Sequence, residues 1–196
     1  KRVLFIGTDM AVGKMTAGLE LYSWLLEHKK KVGFVATGQI GITITGKGIP
    51  LDAFKVDHAC GAVEQVVLDQ ADKDIILIEG QGSLLHPGST ATLPLMRGSC
   101  PTHLILCLRA EKKTLRSPEH IKIPDLNDFI ALNESLASVF GTFSRSRVIG
   151  IAANTSMLSE NEAKAYLSKT SKHTGLVTTD PIRYGIATIG EQILMS

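Results

Sequence analysis

Cysteine, net charge and long apolar runs are all scarce in this chain. The three cysteines, Cys60, Cys100 and Cys107, are odd in number and lack CxxC spacing. That argues against a disulfide framework or a zinc knuckle and fits a reducing, cytoplasmic compartment. The formal net charge is only +2 at pH 7, so there is no electrostatic case for a nucleic-acid or membrane partner. No apolar run approaches the roughly 20 residues that a membrane helix needs. No signal peptide is expected, because Val3–Ile6 is followed at once by Gly7 and soon by Asp9. Internal repeats, low-complexity segments and linkers are also missing. The first residue is Lys1 rather than Met, as expected of a part of a longer protein.

What is present suits a single globular domain: 196 residues, of which 44% are hydrophobic. Short apolar runs alternate with helical stretches. Strands are expected at Val3–Ile6, Val32–Ala36, Asp74–Ile78, His103–Leu108, Val148–Ala153 and Leu176–Thr179. Helices are expected from Lys14 to about His28, and at Asp52–Leu68, Asn127–Phe140, Ser159–Ser168 and Ile186–Leu194. Ser159 and Glu162 form a capping-box pair at the start of one of them. Thr37–Pro50, rich in Gly and Pro, reads as a loop or a small hairpin, and Gln81–Pro101 as a long functional loop. Such alternation predicts an α/β fold: three layers of the P-loop NTPase kind, with a mainly parallel central sheet.

The sharpest motif is Gly7-Thr8-Asp9-Met10-Ala11-Val12-Gly13-Lys14-Met15-Thr16. It joins an expected strand to an expected helix, the context that a phosphate-binding loop requires. Backbone N–H groups of such a loop form an anion nest, and the helix N-terminus adds its positive dipole end. Gly13 removes a Cβ from the path of the phosphate, and Lys14 reaches the terminal phosphates as a point charge. Gly7, Thr8, Asp9, Val12, Gly13, Lys14, Met15 and Thr16 are therefore the expected phosphate-binding set. Two features depart from GxxxxGK[ST]. Gly7 stands one residue early, leaving Thr8 at the usual first-glycine position. Met15 follows the lysine where a Ser or Thr hydroxyl normally reaches Mg²⁺, and a thioether is a poor ligand for a hard cation. Thr16 is expected to point elsewhere around the helix.

A second motif, Asp74-Ile-Ile-Leu-Ile-Glu79-Gly80-Gln81-Gly82, ends an apolar strand in a carboxylate. In open α/β sheets a ligand sits over such strand ends. Glu79 is thus a candidate proton acceptor, water-orienting group or metal ligand, with Asp57 as a possible second ligand. Gly80, Gln81 and Gly82 allow close approach to a substrate, as do Thr37, Gly38 and Gln39 after the second strand.

The GTD-x-x-VGK loop and EG-x-G strand end resemble dethiobiotin synthetase and its P-loop relatives. In those proteins an Asn at a strand end meets the nucleotide base, a role that falls here on Asn154. The phrases GTDMAVGKMTAGLEL, TGQIGI, EGQGSLLHPG, AANTS and TGLVTTDPIR resemble more closely the C-terminal domain of the D-glutamate N-acetyltransferase family, long catalogued as a domain of unknown function. That resemblance covers essentially the whole chain, including Lys14-Met15-Thr16. It implies acetyl transfer from acetyl-CoA to the amino group of D-glutamate, and an N-terminal domain beyond this chain. A homo-oligomer is also expected.

Acetyl-CoA offers anionic phosphates to a P-loop, and thioester transfer needs no Mg²⁺. The acceptor amine must lose a proton, and His86, in a Gly/Pro-rich loop, is the candidate base beside Glu79. Arg97, Arg109 and Arg183 are alternative anchors for the acceptor's carboxylates. Asp57-His58-x-Cys60 falls on a helix that splays its ligands, which disfavours a metal there. Cys107 reads as core. Two other classes remain open: an ATP-dependent ligase with Mg²⁺ on Glu79 and perhaps Asp57, and a non-catalytic nucleotide-binding module.

Overall fold

A computed structural model describes residues 1–196. Six strands form one sheet, with every pair parallel, in the order β2-β3-β1-β4-β5-β6. They are β1 (Arg2–Gly7), β2 (Val32–Val35), β3 (Ile75–Ile78), β4 (His103–Arg109), β5 (Arg147–Asn154) and β6 (Thr178–Thr179). Seven helices accompany them: α1 (Lys14–Glu27), α2 (Gln39–Thr45), α3 (Val56–Leu68), α4 (Thr92–Ser99), α5 (Leu126–Ser138), α6 (Glu160–Thr174) and α7 (Ala187–Met195). The expected three-layer α/β architecture is observed.

The layers follow from the alternation of side chains along each strand. Leu4, Ile6, Ile76, Ile78, Leu104 and Leu106 face a core shared with α3, α4, α5 and α6. Val3, Phe5, Ile75, Leu77, Ile105 and Cys107 face the other core, under α1 and α7. Both faces are covered, so the strands read as unbroken apolar runs. The pairing of β4 with β5 shifts register after Leu104. There Ile149 packs into the α1/α7 core, and a Cβ on Gly150 would meet Ile189 on the same side. Two consecutive residues facing one way mark a β-bulge.

Two expected loops contain helices. Within 37–50, α2 has the sequence QIGITIT, in which β-branched residues and a glycine give weak helix propensity. Tertiary packing overrides it: Gly41 lies against the Glu79 carboxylate where a Cβ would collide, and Gly46, at φ +71°, ends the helix. Within 81–101, α4 places Pro94 in its first turn, where no intrahelical N–H is lost. It buries Leu95 and Met96 completely. Gly98 lets it press against α3, with the Cys60 carbonyl in the space of a Cβ. Asp52 does not open α3 as expected. It belongs to a 3₁₀ turn over Leu51–Ala53, and α3 starts at Val56. The Ser159/Glu162 capping box forms as read, and Asp125 caps α5 through the N–H of Asn127.

Candidate functional site

The site begins where β1 hands the chain to α1. Ala11 and Gly13 both take positive φ, +52° and +103°, which turns successive N–H groups inward. No protein atom crowds a Cβ at Gly13, and its φ of +103° by itself favours glycine there. Gly13 caps α1 without any side-chain bond. The N–H groups of the first turn, from Lys14 through Thr16, have no intrahelical partners and open towards the site. At Gly7 space does decide: a Cβ would lie 2.9 Å from Val12 Cγ2 and 3.0 Å from Lys14 Nζ.

Lys14 is only 6% exposed, and its Nζ donates to the Asp9 carbonyl at 2.9 Å. Burial lowers its pKa, opposed by Cys107, Asp9 and Glu79 around it. The Asp9 carboxylate is fully engaged inside the protein. Oδ1 accepts from Met10 N and Oδ2 from Arg116 N, both at 2.7 Å. It braces the loop against the ribbon in which Thr114 bridges Lys122. Gly7, Thr8 and Asp9 therefore do not line the cavity that Lys14 enters, whereas Met10 through Thr16 do.

That cavity, of about 840 Å³, lies between the P-loop, the Thr37–Gln39 turn and the Glu79–Gly82 strand end. Glu79 is 4% exposed. Its Oε2 accepts from Thr37 N at 2.8 Å and Gly38 N at 3.2 Å, and Thr37 Oγ1 returns a bond to the Glu79 carbonyl at 2.8 Å. Burial raises its pKa; the two N–H donors and Lys14 oppose the rise. Glycines clear the space. A Cβ at Gly80 would strike the Phe5 carbonyl, and one at Gly38 would sit 2.6 Å from Gln81 Nε2. The structure thus brings together Lys14, Met15, Thr16, Thr37, Gly38, Gln39, Glu79, Gly80, Gln81 and Gly82.

A second cavity of about 340 Å³ lies on the other flank of the loop, lined by Val12, Gly13, Thr16, Asn154, Asp180 and Arg183 among others. Thr16 lines both cavities rather than turning away as expected. Asn154 Oδ1 accepts from Ser156 N at 3.0 Å. Below it Asp180 ties the segment together: Oδ2 accepts from Thr155 N at 2.8 Å and from the Thr155 hydroxyl, and Oδ1 from Ile182 N at 3.0 Å and Arg183 N at 3.2 Å. Burial raises the Asp180 pKa, but those four donors outweigh it and hold the group below the ordinary carboxylate value.

Two expected residues stand elsewhere. His86 does not line the cavity of Lys14 and Glu79. Its Nδ1 accepts from Gly88 N at 3.1 Å, so the proton resides on Nε2, which donates to the Ser117 carbonyl at 2.7 Å. The ring latches two loops together, and both nitrogens are occupied. Asp57 is exposed on α3 and lines neither cavity. Asp52, which the sequence reading passed over, lines the Glu79 cavity, with Oδ2 accepting from Gln39 Nε2 at 2.9 Å. The turn at Leu51–Ala53 brings it there, and only its Gly/Pro-flanked position hinted at this. No group of three or more His, Cys, Asp or Glu side chains gathers in the structure, and Asp57 does not line the cavity of Glu79. Of the three arginines, Arg109 donates to the Ala11 carbonyl at 3.0 Å and Arg183 lines the second cavity. Arg97 instead braces α4, donating to the Leu136 carbonyl and stacking over Phe143.

A strand, a loop ending in Gly13-Lys14 and a helix, with cavities above the carboxyl ends of parallel strands, define a P-loop domain. The chain belongs to the DUF1611 family: the family model described as "Domain of unknown function (DUF1611_C) P-loop domain" matches residues 1–190. Two curated relatives bear the name D-glutamate N-acetyltransferase. One, from Tritonibacter scottomollicae, is 39% identical over 94% of this chain and 55% of its own length. The other, from a Pseudoalteromonas species, is 36% identical over 96% of this chain and 57% of its own length. The chain thus spans a little over half the length of these relatives. A crystal structure of a DUF1611 family protein from Anabaena variabilis superposes with a TM-score of 0.97 at 47% identity, covering 100% of this chain and 57% of that one. Cobyrinic acid a,c-diamide synthase from Mycobacterium smegmatis, solved with an ATP analogue and magnesium, shares the fold. Its TM-score is 0.62 at 13% identity, covering 97% of this chain and 91% of that one.

Proposed function

We propose that this domain binds the phosphates and nucleoside of acetyl-CoA and is part of an N-acetyltransferase acting on the amino group of D-glutamate. The observation that carries the reading is the side chain after Lys14. The loop has the lysine, the inward N–H groups and the open helix terminus that hold phosphates, yet Met15 replaces the hydroxyl that would bind Mg²⁺. Such a loop suits a phosphate-bearing ligand whose phosphates are held and not hydrolysed. The names of the two curated relatives support the same reaction.

In this reading the pyrophosphate lies over Lys14 and the adenosine enters the cavity beside Asn154. The amine nitrogen attacks the thioester carbonyl carbon, forming the C–N bond. The C–S bond breaks, and the sulfur leaves as the CoA thiol with one proton. The acceptor starts as an ammonium and loses two protons: the first passes before attack to Glu79, whose second carboxylate oxygen is free of backbone donors, and the second is the one that leaves with the thiol. The environment of Glu79 raises its pKa above that of an ordinary carboxylate, which brings it nearer the range of a useful base. His86, with both nitrogens engaged, takes no part.

The test is release of free thiol from acetyl-CoA, with D-glutamate and L-glutamate as acceptors, in EDTA. Turnover with the D-isomer in EDTA supports the reading. Turnover that needs ATP and Mg²⁺ replaces it with the ligase reading.

A further inference from the structure

Glu79 and Arg109 leave the sheet on opposite sides of the P-loop, because β3 and β4 flank β1. On the Arg109 side lies a recess of about 330 Å³ that the phosphate site does not use. Its apolar floor is Leu108, Ile123 and Leu126. Four permanent cations surround it: Arg109 from the end of β4, Lys112 and Lys113 from the loop that follows, and Lys169 from α6. None of the four forms a salt bridge. Two carboxylates also border the recess. Asp125 is paired with His173 Nε2 at 2.7 Å and caps α5, which leaves Glu111 as the one facing acid without such a pairing. Tyr166, Lys169, Thr170 and His173 line it together because they fall on one face of α6.

Thr8 borders both this recess and the smaller hollow beside it, and its backbone N–H donates to the Cys107 carbonyl.

We propose that the recess binds a small aliphatic dicarboxylate, with Arg109, Lys113 and Lys169 holding the two carboxylates. The cations are spread over three elements, which matches two separated anionic groups joined by an apolar chain. A single phosphate is better served by a convergent nest of N–H groups, as in the P-loop. The volume admits about ten non-hydrogen atoms at the roughly 30 Å³ that a water occupies in the liquid. Where the acetyl-transfer reading holds, this ligand is the acidic acceptor. Met10 lines both the Glu79 cavity and the small hollow shared by Thr8, Arg109 and Lys112.

Calorimetric titration at constant ionic strength tests the site, using D-glutamate, glutarate, D-glutamine and inorganic phosphate as probes. D-glutamate and glutarate should bind, and D-glutamine, lacking one carboxylate, should bind at least tenfold more weakly. Lys169→Ala, an exposed position that leaves the fold intact, and Arg109→Gln should each weaken the dicarboxylates at least tenfold. Lys14→Ala should leave their affinity unchanged. Absence of dicarboxylate binding, affinity indifferent to Lys169 and Arg109, or displacement by inorganic phosphate at equal concentration overturns the proposal. Binding without any acetyl transfer would remove the enzymatic reading and keep the site. Acetyl transfer whose KM for the acceptor ignores Lys169→Ala would remove the site and keep the enzymatic reading.

Discussion

The two cavities beside the P-loop are built on opposite principles. On the Glu79 flank, space is made by leaving side chains out: Gly38, Gly41 and Gly80 each yield room to a carboxylate, an amide or a backbone carbonyl. A buried carboxylate and a buried lysine face each other there, and burial pushes each towards its neutral form. On the Asn154 flank a single carboxylate, Asp180, accepts four hydrogen bonds and fixes its segment. One flank keeps polar groups under tension and the other satisfies them. Burial raises the Glu79 pKa, whereas hydrogen bonds lower that of Asp180, and only the first direction leaves a carboxylate a better proton acceptor. In the proposed function, chemistry belongs to the Glu79 flank and recognition to the Asn154 flank.

The largest expected effect tests the chemical flank. Glu79→Gln retains an acceptor for Thr37 N and Gly38 N but cannot take a proton, so turnover should fall by about 10²–10⁴-fold with little change in melting temperature. In the wild type, turnover should rise with pH through a value above the ordinary 4.5, because burial raises the Glu79 pKa. A pH profile of Glu79→Gln that keeps this limb would assign the proton to another group.

The recognition flank should respond in stability. Asp180→Ala strands the Thr155 hydroxyl and N–H, at a cost of about 1–3 kcal/mol measured by denaturant unfolding. Because the folded pKa lies below the ordinary 3.8, the stabilisation is complete above that value and is lost as pH falls through the folded pKa. The difference in stability between wild type and Asp180→Asn should therefore shrink on acidification below about 3.8. A constant difference would mean that the hydrogen bonds do not depend on the charge.

His86 sharpens the boundary between the two roles. As a latch to Ser117 and Gly88 it contributes hydrogen bonds alone, so His86→Ala should cost about 1 kcal/mol in unfolding experiments and leave turnover unchanged. A hundredfold loss of turnover would restore it as the base that its loop sequence suggests. The smallest effect is expected from chelation: saturating EDTA should leave acetyl transfer intact.

Much of this arrangement was legible in the sequence where one local signal decided it. The strands announced themselves because both faces of the sheet are buried, and Gly13-Lys14 between strand and helix located the phosphate loop. Glu79 was legible as a carboxylate closing an apolar run. What escaped depended on distant partners. α2 was hidden because its β-branched residues and Gly41 disfavour a helix until Glu79 packs against it. Asp52 was read as a helix start because the 3₁₀ turn that brings it to the cavity is set by tertiary contacts, and Asp57 was chosen in its place. Asp180 drew no notice, since its partners Thr155, Ile182 and Arg183 converge only after β5 and β6 pair. His86 was over-read for the same reason: nothing local to it reveals the Ser117 carbonyl.

The function proposed for this domain depends on its loop holding phosphates without a metal. Isothermal titration calorimetry with acetyl-CoA in EDTA, set beside ATP with and without Mg²⁺, tests it on wild type and on a folded Lys14→Ala variant. Acetyl-CoA should bind the wild type in EDTA and weaken at least tenfold, about 1.4 kcal/mol, in Lys14→Ala. Affinity for acetyl-CoA that is indifferent to Lys14, or binding only of ATP and only with Mg²⁺, would contradict it.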